Sequence, residues 1–481
     1  MSGSRVETLV NGEWVGAEEW LDVTDPATNT VVAQVPSLTS SQVTSAFDAA
    51  VKAFEGWRRT SAFERAAILR RAAGLIRQRA TEIAAEIIAE NGKTLAEATG
   101  EAGKAADFLD YYAALDRAPF GELLHDVRPG TQTSVRREPI GVVTAITPWN
   151  DPLLTPARKL APALMSGNTA VLKPATETPR SGLHLARALH DAGLPAGVLN
   201  VVTGRGSVIG DALLDERISA LTFTGSNEVG EALRAQVADR NIRFQAELGG
   251  KNATVVLADA DLAAAVEGVV AAGFGQAGER CTATSRVILD RDIHDDFVAL
   301  LTARLAAIRP GRPDAEGTTM GPLVSASHQG TVLAAIETAR AQGATVLVGG
   351  GVPDGDLARG CFVEPTLIGD VTETMDLWRE EVFGPVVAVR AVAGLTEAIE
   401  AVNDSDFGLA AAIFTQSLSS AHRFVEEVDT GQVAVNTTTS GWDVHHPFGG
   451  FRGSGSAFKE QGTEALHFYT KVKTVAIKVS A

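Results

Sequence analysis

The sequence predicts an α/β protein built on parallel β-sheets. Between residues 141 and 248, short apolar runs with the character of strands alternate with stretches long enough to form helices. This alternation is typical of a parallel sheet whose strands are joined by crossover helices. A second series of the same kind begins at residues 253–257 and continues to residues 433–435. Because no linker rich in proline, glycine or serine separates the two series, we expect the two units to pack closely.

The residues before the first series predict a hairpin and a set of helices. Residues 6–20 should form two short strands that turn at Asn11-Gly12, a dipeptide favoured in two-residue hairpin loops. From residue 39 to residue 115, apolar side chains recur at steps of three and four, as one face of a helix requires. We expect one of these helices to end at Asn91-Gly92 and another to bury Phe63.

Strand-like segments follow in an order that supports this fold. In the first series the expected strands cover residues 141–147, 169–172, 198–202, 220–223 and 244–248. Ahead of them, residues 119–139 contain two candidate strands around a Pro129-Gly130 turn. Near the other end of the chain, residues 468–479 alternate and are rich in β-branched side chains, so they predict a further strand.

The composition is that of a globular protein and argues against several functional classes. With 481 residues, the chain has room for about three domains of roughly 150 residues each. Its formal net charge of -17 argues against nucleic-acid binding and against binding to anionic membranes. The first five residues lead into polar sequence without an apolar signal core, and no apolar run approaches the ~20 residues of a membrane helix. The two cysteines fit a reducing compartment, so we expect a cytoplasmic protein.

A cysteine and a carboxylate form the most informative pair in the chain. Cys281 lies in Gly-Glu-Arg-Cys-Thr (residues 278–282), 34 residues after Glu247 in Glu-Leu-Gly-Gly-Lys (residues 247–251). A cysteine can form a covalent adduct with a carbonyl carbon, and a carboxylate can activate the water that releases it. A lone cysteine is more often a small buried hydrophobe. Cys281, however, lies in a polar segment bounded by glycines, where the neighbouring Arg280 is expected to favour the thiolate.

Four further segments complete a pattern that resembles the aldehyde dehydrogenase family. They are residues 147–150 (Thr-Pro-Trp-Asn), 173–175 (Lys-Pro-Ala), 223–226 (Phe-Thr-Gly-Ser) and 381–385 (Glu-Val-Phe-Gly-Pro). The match runs in order from about residue 6 to about residue 475, so it covers nearly the whole chain. Any one of these segments could arise by chance. The presence of all of them in the same order along one chain is specific to the family.

The resemblance implies three parts: a Rossmann-like cofactor domain, an α/β catalytic domain and a small β arm for oligomerisation. On that plan the NAD(P)-binding domain comprises residues 1–118 and 140–248, the catalytic domain residues 249–442, and the arm residues 119–139 and 456–481. A strand that leaves its own domain exposes unpaired backbone groups, which a partner subunit can pair. The resemblance therefore implies a homodimer or a homotetramer.

The family's catalytic residues map onto four positions of this chain. The resemblance makes Cys281 the nucleophile that forms a thiohemiacetal and then a thioester, and Glu247 the base that activates water. Asn150 and the backbone N–H of Cys281 would hold the oxyanion, and such a donor contributes about a hundred- to thousandfold in rate. Lys173 would reach the cofactor ribose and assist proton relay. Coenzyme-A-acylating members typically lack a glutamate at position 247, so its presence favours release of a free carboxylic acid.

The expected cofactor is NAD or NADP. The segment from Gly204 to Gly210 is one residue longer than the Gly-x-Gly-x-x-Gly fingerprint and is weak evidence by itself. The family instead places the pyrophosphate at the helix start marked by Gly225-Ser226. A glutamate at position 176 would repel a 2′-phosphate and Thr176 cannot, so NADP should be tolerated. The cofactor-binding residues that the resemblance implies are Ile146, Thr147, Trp149, Lys173, Ala175, Thr176, Gly204, Phe223, Thr224, Gly225, Ser226, Val229, Leu248, Glu381 and Phe383.

The last part of the chain points to a semialdehyde acid as substrate. Residues 447–474 and 281–286 resemble the branch of the family that oxidises 2-oxoglutarate semialdehyde and succinate semialdehyde. An arginine at position 158 or 280 would then bind the distal carboxylate, and two aromatic side chains would form the tunnel walls. The substrate residues implied in this way are Arg158, Arg280, Trp442 and Phe448.

Several alternatives stay open at this point. Arg158 could instead form a structural salt bridge and Arg280 could face solvent, as in an enzyme for aromatic or aliphatic aldehydes. A coenzyme-A-acylating enzyme and a non-catalytic paralogue are the remaining alternatives. Asp151 replaces the phenylalanine that usually follows the asparagine, and its charge is expected to repel an anion at the tunnel wall. His445-His446 does not predict a metal site, because adjacent imidazoles do not readily share one metal.

Overall fold

The structure is a computed structural model that describes residues 4–118 and 120–478. Residues 1–3, which belong to the predicted NAD(P)-binding domain, lie outside the described residues. So do residue 119 and residues 479–481, which belong to the predicted arm.

Five short strands begin the described chain. They are β1 (Ser4–Arg5), β2 (Thr8–Val10), β3 (Glu13–Val15), β4 (Glu19–Asp25) and β5 (Thr30–Ser37). Strands β2 and β3 pair antiparallel across Asn11 and Gly12, whose φ angles of 52° and 80° suit a two-residue hairpin turn. The predicted hairpin is therefore confirmed. Strand β5 pairs with β1 and β4 in a separate three-stranded sheet.

Four helices follow in the region that was predicted to be helical. They are α1 (Ser40–Trp57), α2 (Ala62–Gln78), α3 (Ala80–Asn91) and α4 (Leu95–Ala114). Thr39 and Ser61 begin α1 and α2 with capping boxes, in which each side chain and the residue three positions later satisfy each other's backbone N–H. Helix α3 ends at Asn91 because Gly92 adopts a left-handed conformation with φ of 86°.

The predicted buried face of α2 is wrong by a small rotation. Phe63 is 54% exposed, although Ala73 and Ile76, which lie on the predicted face, are buried together with Ala66 and Leu69. Both faces show helical spacing, and the stripe that is buried is chosen by contacts with α4 and α6, which sequence periodicity does not reveal.

Two strands then lead into a five-stranded parallel sheet with its crossover helices. The elements are β6 (Gly121–Leu124), β7 (Thr131–Pro139), β8 (Val142–Ile146), α5 (Leu154–Met165), β9 (Thr169–Lys173), α6 (Pro179–Asp191), β10 (Leu199–Val201), α7 (Gly206–Leu213), β11 (Ile218–Thr224), α8 (Asn227–Val237) and β12 (Arg243–Glu247). The strand order is β10-β9-β8-β11-β12. All pairs are parallel, so the alternation predicted for residues 141–248 is confirmed.

The second series forms a seven-stranded sheet. Its region contains β13 (Ala253–Val256), α9 (Leu262–Phe274), β14 (Arg286–Asp290), α10 (His294–Leu305), α11 (Ala326–Ala341), β15 (Thr345–Val348), β16 (Thr366–Gly369), α12 (Asp376–Arg379), β17 (Val386–Val392), α13 (Leu395–Asn403), β18 (Phe407–Gly408), β19 (Ala410–Phe414), α14 (Leu418–Glu427) and β20 (Gln432–Val435). The order is β15-β16-β17-β14-β13-β19-β20, and only the β15–β16 pair is antiparallel.

Helices cover both faces of each of these sheets, as an α/β fold requires. Around the first sheet, one apolar cluster includes Leu160 of α5 and another on the opposite face includes Phe47 of α1. Around the second sheet, the two clusters include Trp378 and Phe297. Within residues 4–118 and 120–478, no helix combines the length and the apolar character needed to cross a membrane.

The chain finishes with β21 (Phe451–Arg452), α15 (Ala465–Tyr469) and β22 (Thr470–Lys478). Strand β22 pairs antiparallel with β7, and β7 pairs with β6, so the hairpin and the last strand share one three-stranded sheet. The last strand begins at Thr470 instead of the predicted residue 468. The reason is that Phe468 and Tyr469 end α15 and are buried against the first sheet.

Candidate active site

The carboxyl ends of parallel strands bring the predicted catalytic residues to one edge of the first sheet. Strand β9 ends at Lys173 and β12 at Glu247, while the segment after β8 carries Asn150. Ligands of open α/β sheets bind at this edge, where loops and helix N-termini converge. The fold alone therefore places these three side chains in one crevice.

Cys281 reaches the same crevice through a strained loop after α9. Gln276, Ala277 and Gly278 adopt positive φ angles of 52°, 51° and 72° in succession. Such a conformation is unfavourable for the two residues that carry a Cβ, so neighbouring contacts must hold the loop in place. The carbonyl oxygen of Cys281 accepts a hydrogen bond of 2.8 Å from the side-chain amide of Asn252, which ties the loop to the start of β13.

Burial favours the protonated form of the Cys281 thiol. Although the residue keeps some exposure, burial raises its pKa to about 12, and the charge of Arg158 opposes this increase. Arg280, predicted to favour the thiolate, instead donates a hydrogen bond to the side chain of Gln276. A positive charge or a proton acceptor beside the sulfur is therefore needed to form the nucleophile.

Asn150 is buried and oriented toward the cysteine loop. Its amide nitrogen donates a hydrogen bond of 3.0 Å to the carbonyl oxygen of Glu279. An amide has two N–H groups, so one remains free for an oxyanion on a substrate bound to Cys281. This position suits the predicted donor role.

Glu247 is a buried carboxyl group with an unsatisfied oxygen. The residue is 2% exposed, and its Oε1 accepts a hydrogen bond of 3.3 Å from Gln245. Among the described residues its Oε2 has no hydrogen-bond partner. Burial raises the pKa of Glu247 well above its ordinary value, and the charge of Glu460 adds to the increase. A carboxyl group with a raised pKa is a stronger base once it is deprotonated.

A buried polar chain behind Glu247 was not predicted. The ammonium group of Lys159 donates to Glu460, to Thr222 at 2.8 Å and to Gln245 at 3.4 Å. Lys159 therefore connects Gln245, the hydrogen-bond partner of Glu247, to the buried carboxylate of Glu460. The available signal was a lysine in α5, a helix whose other residues are almost all apolar.

The predicted cofactor residues surround a crevice at the ends of β8, β9, β11 and β12. Ile146, Phe223 and Leu248 pack in one small apolar cluster. Two buried hydroxyl groups beside it, those of Thr147 and Thr224, have no hydrogen-bond partner among the described residues. Buried hydroxyls are normally satisfied, so these two indicate that a bound ligand completes the crevice.

Helix N-termini and an apolar surface line the same crevice. Helix α8 begins after Ser226, and the backbone N–H of Gly225 donates 3.2 Å to the carbonyl of Glu247. Val229 in the first turn of α8 is exposed, as an apolar side chain beside a planar base would be. The hydroxyl of Thr176 lies 3.4 Å from the carbonyl oxygen of Gly204, so these two predicted residues are neighbours.

Lys173 and Ala175 complete this side of the crevice. Both residues are buried and both lie at or just after the carboxyl end of β9. Burial lowers the pKa of Lys173, and the charge of Glu177 opposes the decrease.

Glu381 and Phe383 approach the crevice from the catalytic side. An oxygen of Glu381 accepts a hydrogen bond of 2.8 Å from the backbone N–H of Gly250, and burial raises the pKa of its carboxyl group to about 7. The ring of Phe383 packs edge-on against Trp149 at a centroid distance of 5.3 Å. His328, which was not predicted, bonds the carbonyl of Phe383 at 2.7 Å and so holds this loop. The residues present therefore fit a nicotinamide dinucleotide.

A cavity of about 510 Å³ opens beside Cys281. Its wall contains all of the residues predicted for the substrate, which are Arg158, Arg280, Trp442 and Phe448. It also contains residues that were not predicted, among them Lys104, Gln276 and Gln461.

Arg158 has features of both roles that the sequence left open, a structural salt bridge and binding of a substrate carboxylate. Its guanidinium group lies 3.6 Å from Glu460, a long ion pair, and stacks 5.0 Å from the ring centroid of Phe448. Its Nε has no hydrogen-bond partner among the described residues. Arg158 is therefore partly engaged in structure and partly free to bind an anion.

The charge of Asp151, which was predicted to repel an anion at the tunnel wall, is paired with a lysine in the structure. Its carboxylate lies 2.7 Å from the ammonium group of Lys93 and accepts 3.1 Å from the amide of Gln276. Burial is the largest single effect and opposes the charged form, but the charge and hydrogen bond of Lys93, the charge of Arg158 and the hydrogen bond of Gln276 together lower the pKa of Asp151. Lys93 also pairs with Glu101 at 2.5 Å. The expected repulsion of an anion is thus countered by a lysine 58 residues earlier in the chain.

Comparison with known proteins agrees with this geometry. Residues 14–475 match the model of the aldehyde dehydrogenase family. An alpha-ketoglutarate semialdehyde dehydrogenase of Haloferax volcanii is 46% identical over 477 residues, covering 98% of each chain. A 2,5-dioxopentanoate dehydrogenase of Saccharolobus solfataricus is 42% identical and covers 96% of this chain and 97% of its own. The crystal structure of betaine aldehyde dehydrogenase from Staphylococcus aureus with NAD+ superposes with a TM-score of 0.96 at 33% identity, covering 98% of this chain and 94% of that one.

Proposed function

The chain belongs to the aldehyde dehydrogenase family, and from this premise we propose which residues perform its reaction. The protein is an oxidoreductase that converts an aldehyde to a carboxylic acid with NAD or NADP, and the relatives that are named for semialdehydes support a substrate of that class. The residue roles, the particular substrate and the preferred cofactor are our proposals.

Cys281 and Asn150 perform the first half of the proposed reaction. The sulfur of Cys281 adds to the aldehyde carbon, and its proton passes to water in the cavity that Cys281 lines. The oxyanion that forms rests on the free N–H of the Asn150 amide and on the backbone N–H of Cys281. A nicotinamide cofactor held in the crevice would supply the acceptor for the hydride that leaves this carbon. The acyl group then remains on Cys281 as a thioester.

Glu247 performs the second half. Its carboxylate takes a proton from water, the hydroxide adds to the thioester, and the carboxylic acid leaves as the sulfur regains its proton. The observation that carries this assignment is the buried Oε2 of Glu247, which has no partner among the described residues. An unpaired oxygen of this kind at the strand end beside the cysteine loop is placed to bind a water molecule. Lys173 binds the cofactor ribose on the other side of the crevice.

We propose that the substrate is a semialdehyde acid, with 2-oxoglutarate semialdehyde as the leading candidate. Two relatives bear that substrate in their names, one of them as 2,5-dioxopentanoate. In the cavity wall, the guanidinium group of Arg158 holds only a long ion pair of 3.6 Å to Glu460 and lies over the ring of Phe448, so it can bind a carboxylate without leaving its place. Arg280 is the second candidate, and Trp442 and Phe448 form the apolar walls.

Replacing Arg158 with methionine is expected to raise the KM for succinate semialdehyde by roughly ten- to hundredfold. The basis is that a hydrogen bond to a charged group contributes about 1.5–3 kcal/mol. The KM for butanal, a neutral aldehyde of equal length, should change little. Steady-state reduction of NAD and NADP measures both, and Arg280→Met tests the second arginine. Equal kcat/KM of the unmodified enzyme for the two aldehydes, or a clear preference for benzaldehyde, would contradict the semialdehyde proposal.

We also propose that the enzyme accepts NADP. Thr176 is uncharged, and Arg205, an exposed cation, directly follows the neighbouring Gly204. No negative charge is therefore placed at residue 176 to repel a 2′-phosphate.

Replacing Thr176 with glutamate is expected to lower kcat/KM for NADP by about tenfold or more relative to NAD. Two like charges that face each other at such a site cost several kcal/mol. Thr176→Gln is the matched control, because it has the same size as glutamate without the charge. Parallel saturation curves for both cofactors measure the effect. An unchanged NADP-to-NAD ratio in the glutamate variant would show that residue 176 does not contact the ribose.

The domain plan and the assembly complete the proposal. We assign cofactor binding to residues 4–118 and 140–248, catalysis to residues 249–442, and oligomerisation to the three-stranded sheet of β6, β7 and β22. That sheet carries exposed apolar side chains, including Leu123 at 78% exposure, which a second copy would cover in a homodimer or homotetramer. Both cysteines are free, which supports the cytoplasm as the compartment.

A further inference from the structure

One face of α4 lines the cavity beside Cys281. Glu97, Glu101 and Lys104 all lie in the cavity wall, and their spacing of four and three residues puts them on one side of the helix. Phe108, one turn further, lies 5.8 Å below the guanidinium group of Arg158. Helix α4 therefore presents a lysine to the same space that Arg158 reaches from α5.

The two glutamates of this face are occupied by other partners. Glu97 accepts hydrogen bonds from the backbone N–H of Thr94 at 3.0 Å and of Gln276 at 2.7 Å. Glu101 pairs with Lys93 and accepts the backbone N–H of Leu153 at 2.8 Å. Neither carboxylate is therefore available to neutralise Lys104.

Lys104 is a cation without a close counter-ion. Its ammonium group donates one hydrogen bond of 2.6 Å, to the carbonyl oxygen of Trp442, and forms no ion pair among the described residues. The charged groups that face it are Asp443, Asp151 and Asp107, which favour its charged form, and Arg158, which disfavours it. Burial has the largest effect and lowers its pKa. An ammonium group has three N–H donors, so two remain for a ligand in the cavity.

We propose that Lys104 is a specificity-determining residue that binds the acid group of the substrate together with Arg158. The inference rests on the proposed semialdehyde substrate and names a second residue that recognises it. Two cations from adjacent helices, each with free donors, suit the several acceptor oxygens of a carboxylate or a 2-oxo acid. In the free enzyme the Trp442 carbonyl holds Lys104 in position without neutralising it.

Kinetics of two Lys104 variants test this role. Lys104→Met removes the charge and the hydrogen bond, whereas Lys104→Gln removes the charge and keeps a donor for the Trp442 carbonyl. With succinate semialdehyde, both variants should show a KM raised by about tenfold and a kcat within about twofold of the unmodified enzyme. With butanal, the KM should stay within about twofold. Lys104→Arg should recover most of the loss, and Lys52→Met, on an exposed lysine of α1, is the control for charge removal alone.

The outcomes separate this inference from the proposed function. If the unmodified enzyme does not prefer succinate semialdehyde to butanal, the proposed substrate class is wrong and the role of Lys104 falls with it. If that preference exists and survives in Lys104→Gln, only the role of Lys104 is overturned. An equal loss for both aldehydes in Lys104→Met with full activity in Lys104→Gln would show that the lysine acts only through the Trp442 carbonyl, which also overturns the inference.

Discussion

Replacing Cys281 with alanine is expected to abolish aldehyde oxidation while leaving cofactor binding measurable. Cys281 is the cysteine in the cavity wall, and without its sulfur no covalent acyl group can form. Loss of a nucleophile of this kind lowers kcat by about a thousandfold or more. Absorbance of reduced cofactor measures turnover, and quenching of protein fluorescence on addition of NAD measures binding.

Cys361 provides the matched control for this experiment. It is buried in the core of the second sheet, and its sulfur donates to the side chain of Asn29 at 3.2 Å. Cys361→Ala should therefore keep turnover, with at most some loss of thermal stability. Activity above a few per cent in Cys281→Ala, or inactivity of folded Cys361→Ala, would contradict the assignment of the nucleophile.

Replacing Glu247 with glutamine is expected to give one burst of reduced cofactor per active site and then to stop turnover. Hydride transfer does not require this base, whereas hydrolysis of the thioester does, and an amide cannot accept the proton from water. Stopped-flow absorbance should show the burst, and mass spectrometry of the quenched enzyme should show the acyl group on Cys281. Sustained turnover at the unmodified rate would show that another group activates the water.

The pH dependence of the same variant gives a second readout. Glu247 acts as a base only when deprotonated, and burial raises its pKa well above the ordinary value. The deprotonated fraction therefore grows as the pH rises through that raised pKa, so steady-state turnover limited by hydrolysis should increase with pH. In Glu247→Gln the small residual rate should lose this increase. The Asp151→Asn variant, which changes a carboxylate outside the proposed base, should retain it.

Local sequence was sufficient for the parts of the site that depend on strand ends. Glu247 and Lys173 each follow an apolar strand, and the parallel sheet brings such ends together without help from distant residues. Cys281 could also be singled out from local sequence, because its polar segment, bounded by glycines, differs from the apolar surroundings of a core cysteine. The Asn11-Gly12 hairpin depends only on neighbouring backbone conformations.

The missed residues act through contacts between distant segments. Lys159 meets Glu460 across 301 residues of chain, and Lys104 meets the carbonyl of Trp442 across 338. In sequence each is an ordinary charged residue on a helix, and its role depends on which helix face is buried. The burial of α2 shows the same limit, because Phe63 shares the helical spacing of the core residues but faces solvent.

The Lys93 contacts restrict the order in which this part of the site can evolve. Glu101 and Asp151 share Lys93, and each raises the energy of the other's charged form. Losing Lys93 first would leave the buried carboxylate of Glu101 facing the partly buried carboxylate of Asp151, and a broken buried pair costs about 3–5 kcal/mol. Losing Asp151 first leaves Lys93 and Glu101 as a complete pair. A lineage moving toward the phenylalanine found elsewhere in the family is therefore expected to lose less stability if residue 151 changes before residue 93.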